Sequence, residues 1–355
     1  MSNMRKKVFV ALSGGVDSSV SLYLLKKAGY DVTAAFIKIG ECVGTAGQNI
    51  NPDECWIGER REAARVAAYL DVPFVTFDFD KEYEKEVLNY FFKEYKAGRT
   101  PNPDVMCNRK IKFPLFWKKA KSMGADFMAT GHYARIKSGK LLVGKDKEKD
   151  QSYFIYNLKK DDFEHILFPV GGYTKKEVRA IAKKAGLPTA EKKDSQGLCF
   201  LGHINVREFL KTKIKPEPGN IINVKGDVIG RHEGLAYYTI GQRHGIGVFG
   251  AGEPHFVVDK DFKKNLLIVA PEREEKKYFK NSAEVTDINW VAKSKFPISC
   301  MARIRYRAPL EKCVVEKAGA SSLKIKFSKP QRAITPGQSV VFYKGEEVLG
   351  GGIIK

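Results

Sequence analysis

The chain has 355 residues, 43% hydrophobic and 29% charged, which excludes disordered and collagen-like chains and predicts two or three domains. Its 62 Lys/Arg against 41 Asp/Glu give a formal charge of +21, a bias that attracts polyanions: nucleic acid or an anionic membrane surface. No apolar run approaches the roughly 18 residues needed to span a bilayer. The run behind the basic N-terminus, Val8–Leu12, is too short for a signal peptide, so a cytoplasmic protein with no membrane partner is expected.

In a reducing compartment the six cysteines (Cys42, Cys55, Cys107, Cys199, Cys300 and Cys313) do not form a disulfide framework. None belongs to a Cys-x-x-Cys pair, which argues against structural zinc and leaves buried spectators or reactive thiols.

Strand and helix patterns alternate at first. Val8–Leu12 reads as a strand, Ser18–Ala28 as a helix, Val32–Ile37 as a strand and Glu59–Leu70 as a helix. Phe74–Phe77 follows as a strand, Lys81–Lys96 as a helix and Phe127–Thr130 as a strand, while Thr174-Lys-Lys-Glu177 is a capping box opening a helix to Ala185. This alternation predicts an α/β domain over residues 1–204, a doubly wound parallel sheet covered on both faces.

Beyond about residue 205 Pro and Gly interrupt short β-rich runs, predicting a small mixed or β central domain over 205–275. Residues 276–355 read as all-β, a small β-barrel or sandwich, with strands at Ser299–Tyr306, Cys313–Glu316, Leu323–Phe327 and Ser339–Tyr343. This last part holds 16 Lys/Arg against 6 Asp/Glu and is therefore the candidate polyanion grip.

The strongest motif is Ser13-Gly14-Gly15-Val16-Asp17-Ser18-Ser19, between the first strand and the first helix. Glycines let the backbone approach a phosphate, and helix N-terminal N–H groups with serine hydroxyls supply donors. Without Gly-Lys-Ser/Thr it is not a Walker A loop; its alternative is an ordinary capped helix after a tight turn.

A second motif, Gly98-Arg-Thr-Pro-Asn102-Pro103-Asp104-Val-Met-Cys107-Asn108, reads as a rigid loop, because two prolines within three residues disfavour regular structure. Cys107 precedes Arg109, Lys110 and Lys112, a setting that lowers a thiol pKa; the alternative is a buried spectator. In the third, Asp194-Ser-Gln-Gly-Leu-Cys199, the cysteine lies in a polar turn, permitting a thiol pair in which one carries a persulfide and the other resolves it.

Smaller signals are His132 at a strand end, Lys149-Asp150-Gln151-Ser152-Tyr153, and Arg303-Ile-Arg305-Tyr306-Arg307, read as a strand with three arginines on one face beside a stacking ring.

The loop resembles that of the PP-loop ATP pyrophosphatases. With Asn-Pro-Asp-x-x-Cys-Asn, Lys-Asp-Gln-Ser-Tyr-Phe, Asp-Ser-x-Gly-x-Cys-Phe, Thr335-Pro-Gly-Gln338 and the Gly-Gly-Gly-Ile-Ile end, essentially the whole chain resembles the bacterial tRNA-specific 2-thiouridylases. The resemblance implies ATP as co-substrate with Mg2+, and Asp17 as the acid on the magnesium side. It implies ATP contacts at Ala11, Leu12, Ser13, Gly14, Gly15, Val16, Asp17, Ser18, Ile37 and Gly131, and a target-base pocket at Asn102, Pro103 and Asp104. The catalytic residues would be Cys107 as nucleophile, Cys199 as persulfide carrier, and Asp104. His132, Lys149, Asp150, Gln151, Arg305, Tyr306 and Gln338 would touch tRNA. The implied partners are the anticodon stem-loop with its wobble uridine, and a cysteine desulfurase or sulfur-relay donor. The chain departs from its relatives at Ala11, where Gly is usual, and at Ile37-Lys38-Ile39-Gly40, where Met-Lys-Asn-Trp is common. Two rivals remain: an amidating synthetase or other PP-loop enzyme, and a non-catalytic RNA-binding protein that binds ATP.

Overall fold

The computed structural model describes residues 5–39, 56–193, 205–248, 253–292 and 295–355. Its first layer is strand β1 (Lys7–Ala11), helix α1 (Val16–Lys27), β2 (Asp31–Lys38), α2 (Trp56–Tyr69) and β3 (Phe74–Asp78). A helical stretch follows: α3 (Asp80–Tyr83), a π turn at Glu84–Leu88 and α4 (Asn89–Lys96). Then come α5 (Pro103–Cys107), a second π turn at Asn108–Lys112, α6 (Pro114–Ser122) and β4 (Phe127–Ala129). A hairpin, β5 (Ala134–Lys137) and β6 (Lys140–Val143), precedes β7 (Ile166–Leu167) and α7 (Lys175–Lys184).

The strands β3-β2-β1-β4-β7 form one parallel sheet in that order. Both faces are covered, which explains why β1 and β2 are near-continuous apolar runs rather than alternating ones. Val8 and Val10 enter one layer with Val20, Val66 and Val178; Phe9 enters the other with Phe77, Phe116 and Met128.

The central unit comprises α8 (Val206–Lys211), β8 (Gly219–Asn223), β9 (Val228–His232), β10 (His255–Asp261) and β11 (Leu266–Pro271), with sheet order β10-β11-β8-β9. Its core of Ile221, Tyr238, Val257, Leu267 and Val269 also contains Phe91 and Tyr95 of α4. A short helix, α9 (Glu272–Glu275), leads to the last unit.

There β12 (Lys280–Trp290), β13 (Ile298–Arg303), β14 (Glu311–Lys317), β15 (Leu323–Gln331), β16 (Ser339–Lys344) and β17 (Glu347–Ile354) run in order β12-β15-β14-β13-β16-β17. A β12–β17 ladder closes the barrel. Leu323, Ile325 and Phe327 point inward while Lys324 and Lys326 face solvent, the alternation a small filled barrel needs.

Two expectations are corrected, and one element was not foreseen. Asn102-Pro103 does not hold an irregular loop: Asn102 caps α5, accepting from the Val105 N–H at 3.2 Å, and Pro103 occupies the first helical position, where its missing N–H costs nothing. Residues 303–307 are not one strand: β13 ends at Arg303, and Arg307 turns the chain at φ +63°. The hairpin β5–β6 has no counterpart in the sequence reading; through β6 it pairs with β17, Leu142 opposite Glu347, and so joins the barrel to the N-terminal domain.

Candidate active site

Strand order reverses between β1 and β4, and in open α/β sheets ligands bind beyond the strand C-termini at such a switch point. The loop after β1 stands there. Gly14 takes φ +72°, and a β-carbon on it would lie 2.6 Å from the carbonyl oxygen of Glu59. The Ser18 hydroxyl binds the Ser13 N–H and the Gly15 carbonyl, and the Ser19 hydroxyl also donates to Gly15. Gly15 is the N-cap of α1 and offers no side-chain acceptor, so the first N–H groups of the helix face the loop uncapped by a side chain.

Gly131, just past β4, closes the other wall: a β-carbon there would lie 2.8 Å from the Ser18 nitrogen. Ile37 is in β2, 5% exposed and packed in the Phe77 layer; Ala11 borders that same layer, and Leu12 and Val16 are buried in the opposite one.

Asp17, in the first turn of α1, accepts from the Tyr133 hydroxyl at 2.7 Å and from Lys175 Nζ at 2.7 and 2.9 Å. Lys192 Nζ donates to the Gly14 carbonyl at 3.0 Å. Burial raises the Glu59 pKa, against the opposing charge of Lys192. Tyr133, Lys175, Lys192 and Glu59 were not singled out from the sequence. Lys175 lay in view inside the capping box, whose Thr174 hydroxyl and Glu177 carboxylate do cap α7 reciprocally.

The Cys107 surroundings overturn the expected low pKa. The thiol is 1% exposed at the end of α5, and burial pushes it up to about 12. Lys112 opposes that rise and Asp104 adds to it. The other neighbouring cations are engaged elsewhere: Arg109 makes a two-pronged contact with Asp287 of the barrel, and Lys110 pairs with Glu86 at 3.2 Å. Cys199 lies outside the described residues, as do Cys42 and Cys55.

The residues expected to touch tRNA divide by exposure. His132 is buried: its Nδ1 meets the Thr130 hydroxyl at 2.7 Å, its ring lies 5.6 Å from that of Phe113, and burial holds its pKa well below the ordinary histidine value. Asp150 is 4% exposed and accepts from Gly144 N, Ser152 N and the Ser152 hydroxyl. Gln338 is also buried, its amide donating to the Thr100 carbonyl at 2.8 Å. Gln151 receives the Tyr133 N–H at 3.0 Å and so holds the residue that in turn holds Asp17.

Arg305 donates to the Thr335 hydroxyl at 3.0 Å, and burial lowers its pKa. The Tyr306 ring lies 4.4 Å from that of Phe154 at a tilt of 49°, with the Arg307 guanidinium 5.3 Å from it. Lys149, Gln151, Arg305 and Tyr306 are partly exposed. No group of three or more His, Cys, Asp or Glu suited to a metal occurs among the described residues, and no described helix is long and apolar enough to cross a membrane.

Three family models match the chain in succession: a tRNA methyl transferase HUP domain over residues 6–203, a tRNA methyl transferase PRC-barrel domain over 207–271, and an aminomethyltransferase beta-barrel domain over 280–354. Among curated relatives, a tRNA-specific 2-thiouridylase MnmA of Listeria monocytogenes is 45% identical, the match covering 99% of this chain and 95% of the relative. The Lysinibacillus sphaericus protein of that name is 45% identical over 98% and 94%, and a Geobacillus kaustophilus MnmA 2 is 46% identical over the same shares.

Proposed function

Because the chain belongs to the tRNA-specific 2-thiouridylase family, we propose that it replaces the C2 oxygen of the wobble uridine in tRNA with sulfur, at the expense of ATP. The observation that carries this reading is the conjunction, in one domain, of the uncapped glycine loop at the switch point and the Asn102–Cys107 helix.

The C2 oxygen of uracil is a poor leaving group. In the proposed reaction it attacks the α-phosphorus of ATP; the O–P bond forms, the bond to the β-phosphate oxygen breaks, and pyrophosphate leaves. The α1 N-terminus and the Ser13 and Ser18 hydroxyls bind the phosphates. Asp17 is the residue that would hold a magnesium ion, and the ion would neutralise charge on the departing pyrophosphate. Lys175 Nζ bridges both oxygens of the Asp17 carboxylate and so fixes its orientation.

The base is turned out of its stack to reach the pocket, which Asn102, Pro103 and Asp104 line. The outer sulfur of a Cys199 persulfide then bonds to C2. Cys107 attacks the inner sulfur, the persulfide S–S bond breaks, AMP leaves with the original oxygen, and a Cys107–Cys199 disulfide remains for a thiol reductant. Direct attack by the persulfide and prior release of sulfide by Cys107 give the same products. Cys107 is buried, so the proposed step requires its thiol to become accessible to the Cys199 persulfide when tRNA is seated.

Pyrophosphate and AMP should form only when tRNA is present, one of each per thiolated uridine. ATP turnover with no dependence on tRNA, or an ammonia-dependent product, would favour the amidating rival.

A further inference from the structure

The backbone that leads into the Cys107 helix is held from two other domains. Residues 98–101 form a strap between α4 and the Asn102 cap. From the barrel side, the Thr100 N–H donates to the Pro336 carbonyl at 2.8 Å, and Gln338 donates back to Thr100. From the central domain, the Thr239 hydroxyl meets that of Thr100 at 3.1 Å, and the Phe262 ring lies against Gly98.

Lys260 of β10 completes the arrangement. Its ammonium donates to the Gly98 carbonyl at 2.6 Å and to the Tyr238 carbonyl at 2.9 Å. Among the described residues, neither hydrogen bond goes to a carboxylate. Burial pushes its pKa down to about 8, only partly opposed by Asp259. A half-buried ammonium held by two backbone carbonyls, with the Phe262 ring 5.7 Å away and no carboxylate in its hydrogen bonds, is an expensive way to stabilise a fold. It does, however, tie one backbone carbonyl of the N-terminal domain to one of the central domain at a fixed distance. Gly98, Lys260, Phe262 and Pro336 also line a cavity of about 210 Å³ where the three domains meet.

We infer that Lys260 is a positioning residue: it fixes the 98–101 strap against the central domain and thereby sets the placement of Asn102 and the depth at which Cys107 is buried. The central domain, which contributes no residue to the proposed reaction, acquires through it a hold on the reacting segment. The consequence for thiolation rests on the proposed function; the effect on Cys107 burial does not.

The test is the rate at which iodoacetamide alkylates each cysteine of the full-length protein, resolved by peptide mass analysis. Lys260→Met should speed alkylation of Cys107 about tenfold while leaving Cys300, in the barrel, within twofold of wild type, and Lys260→Arg should restore the slow rate. Thr239→Val, an isosteric change at another central-domain contact to the strap, should give a smaller increase of about threefold and supplies the reading should Lys260→Met fail to fold. In parallel, Lys260→Met should lower kcat for thiolation about tenfold with KM for ATP unchanged. A Cys107 rate unchanged in a folded variant, or an equal acceleration at Cys107 and Cys300, overturns the inference. If Cys107 alone accelerates but no thiolation is found even in wild type, the inference stands and the proposed function fails.

Discussion

Arg303, the last residue of β13, stands with Nη1 3.6 Å from Oδ2 of Asp150, a nearly buried carboxylate of the N-terminal domain. The pair crosses the interface that β6 and β17 also bridge. Burial raises the Asp150 pKa; its hydrogen bonds to Gly144 and Ser152 and the charge of Arg303 oppose this. Breaking one side of a buried pair leaves the other charge uncompensated, typically at about 3–5 kcal/mol.

Arg303→Met should therefore lower stability by about 3 kcal/mol at pH 7 in a urea titration. Asp150→Asn added to it should recover part of the loss. The pH dependence has a definite sign. A carboxyl whose folded pKa is raised stabilises most below its unfolded value and loses that contribution as pH rises through the folded value. The Arg303→Met deficit should therefore shrink as pH falls toward 4. A deficit that grows on acidification would show that Asp150 is not the group uncovered.

Asp17→Asn should reduce pyrophosphate release at least a hundredfold, an effect of about 2.7 kcal/mol on the barrier. It keeps the shape that Tyr133 and Lys175 contact, so the melting temperature should move by only a few degrees. Wild-type-like release by the folded variant would remove Asp17 from the proposed chemistry.

Cys107 should titrate as a buried thiol. With its pKa pushed up to about 12, alkylation in the unliganded protein should rise about tenfold per pH unit from 7 to 10, because the thiolate fraction does so far below the pKa. A rate that levels off near pH 8 would restore the activated thiolate that the sequence alone suggests.

That contrast shows where sequence reading ends. The strand and helix order of the sheet domain, the glycine loop, the Thr174 cap and the all-β character of the C-terminus follow from periodicity and capping rules, and the structure repeats them within a few residues. The error at Cys107 came from counting charges by proximity in sequence. Arg109 is two residues from Cys107 along the chain, but its guanidinium is directed to Asp287, a pairing that only the tertiary fold creates. The short helix at Asn102-Pro103 was legible: an Asx cap followed by Pro at the first helical position starts a helix as readily as it makes a loop. The hairpin β5–β6 was not, because its strands of 4 residues each gain their order from the barrel edge they pair with.

The structure also changes how the basic barrel should be tested as a tRNA grip. Val341, Tyr343 and Val348 of the barrel sit in the core layer of the N-terminal domain, so deleting the barrel would uncover that core as well as remove charge. Replacing the exposed Lys312, Lys324 and Lys329 with Gln avoids this. tRNA affinity should fall, and the slope of log K against log salt should flatten by up to about 0.7–0.9 for each phosphate that is no longer neutralised. An unchanged slope would place the grip on another face.

The central claim is that sulfur reaches the wobble uridine through two particular thiols. The most direct measurement is nucleoside mass analysis of tRNA after incubation with enzyme, ATP, Mg2+ and a persulfide donor, alongside the intact mass of the protein. Wild type should yield 2-thiouridine. Cys199→Ser should yield none and should fail to gain the roughly 32 Da of one persulfide sulfur at that position. Cys107→Ser should gain that sulfur yet stall before product. Single replacements of Cys42, Cys55, Cys300 or Cys313 should leave activity near normal. Robust 2-thiouridine from either the Cys107 or the Cys199 variant would contradict the two-thiol account.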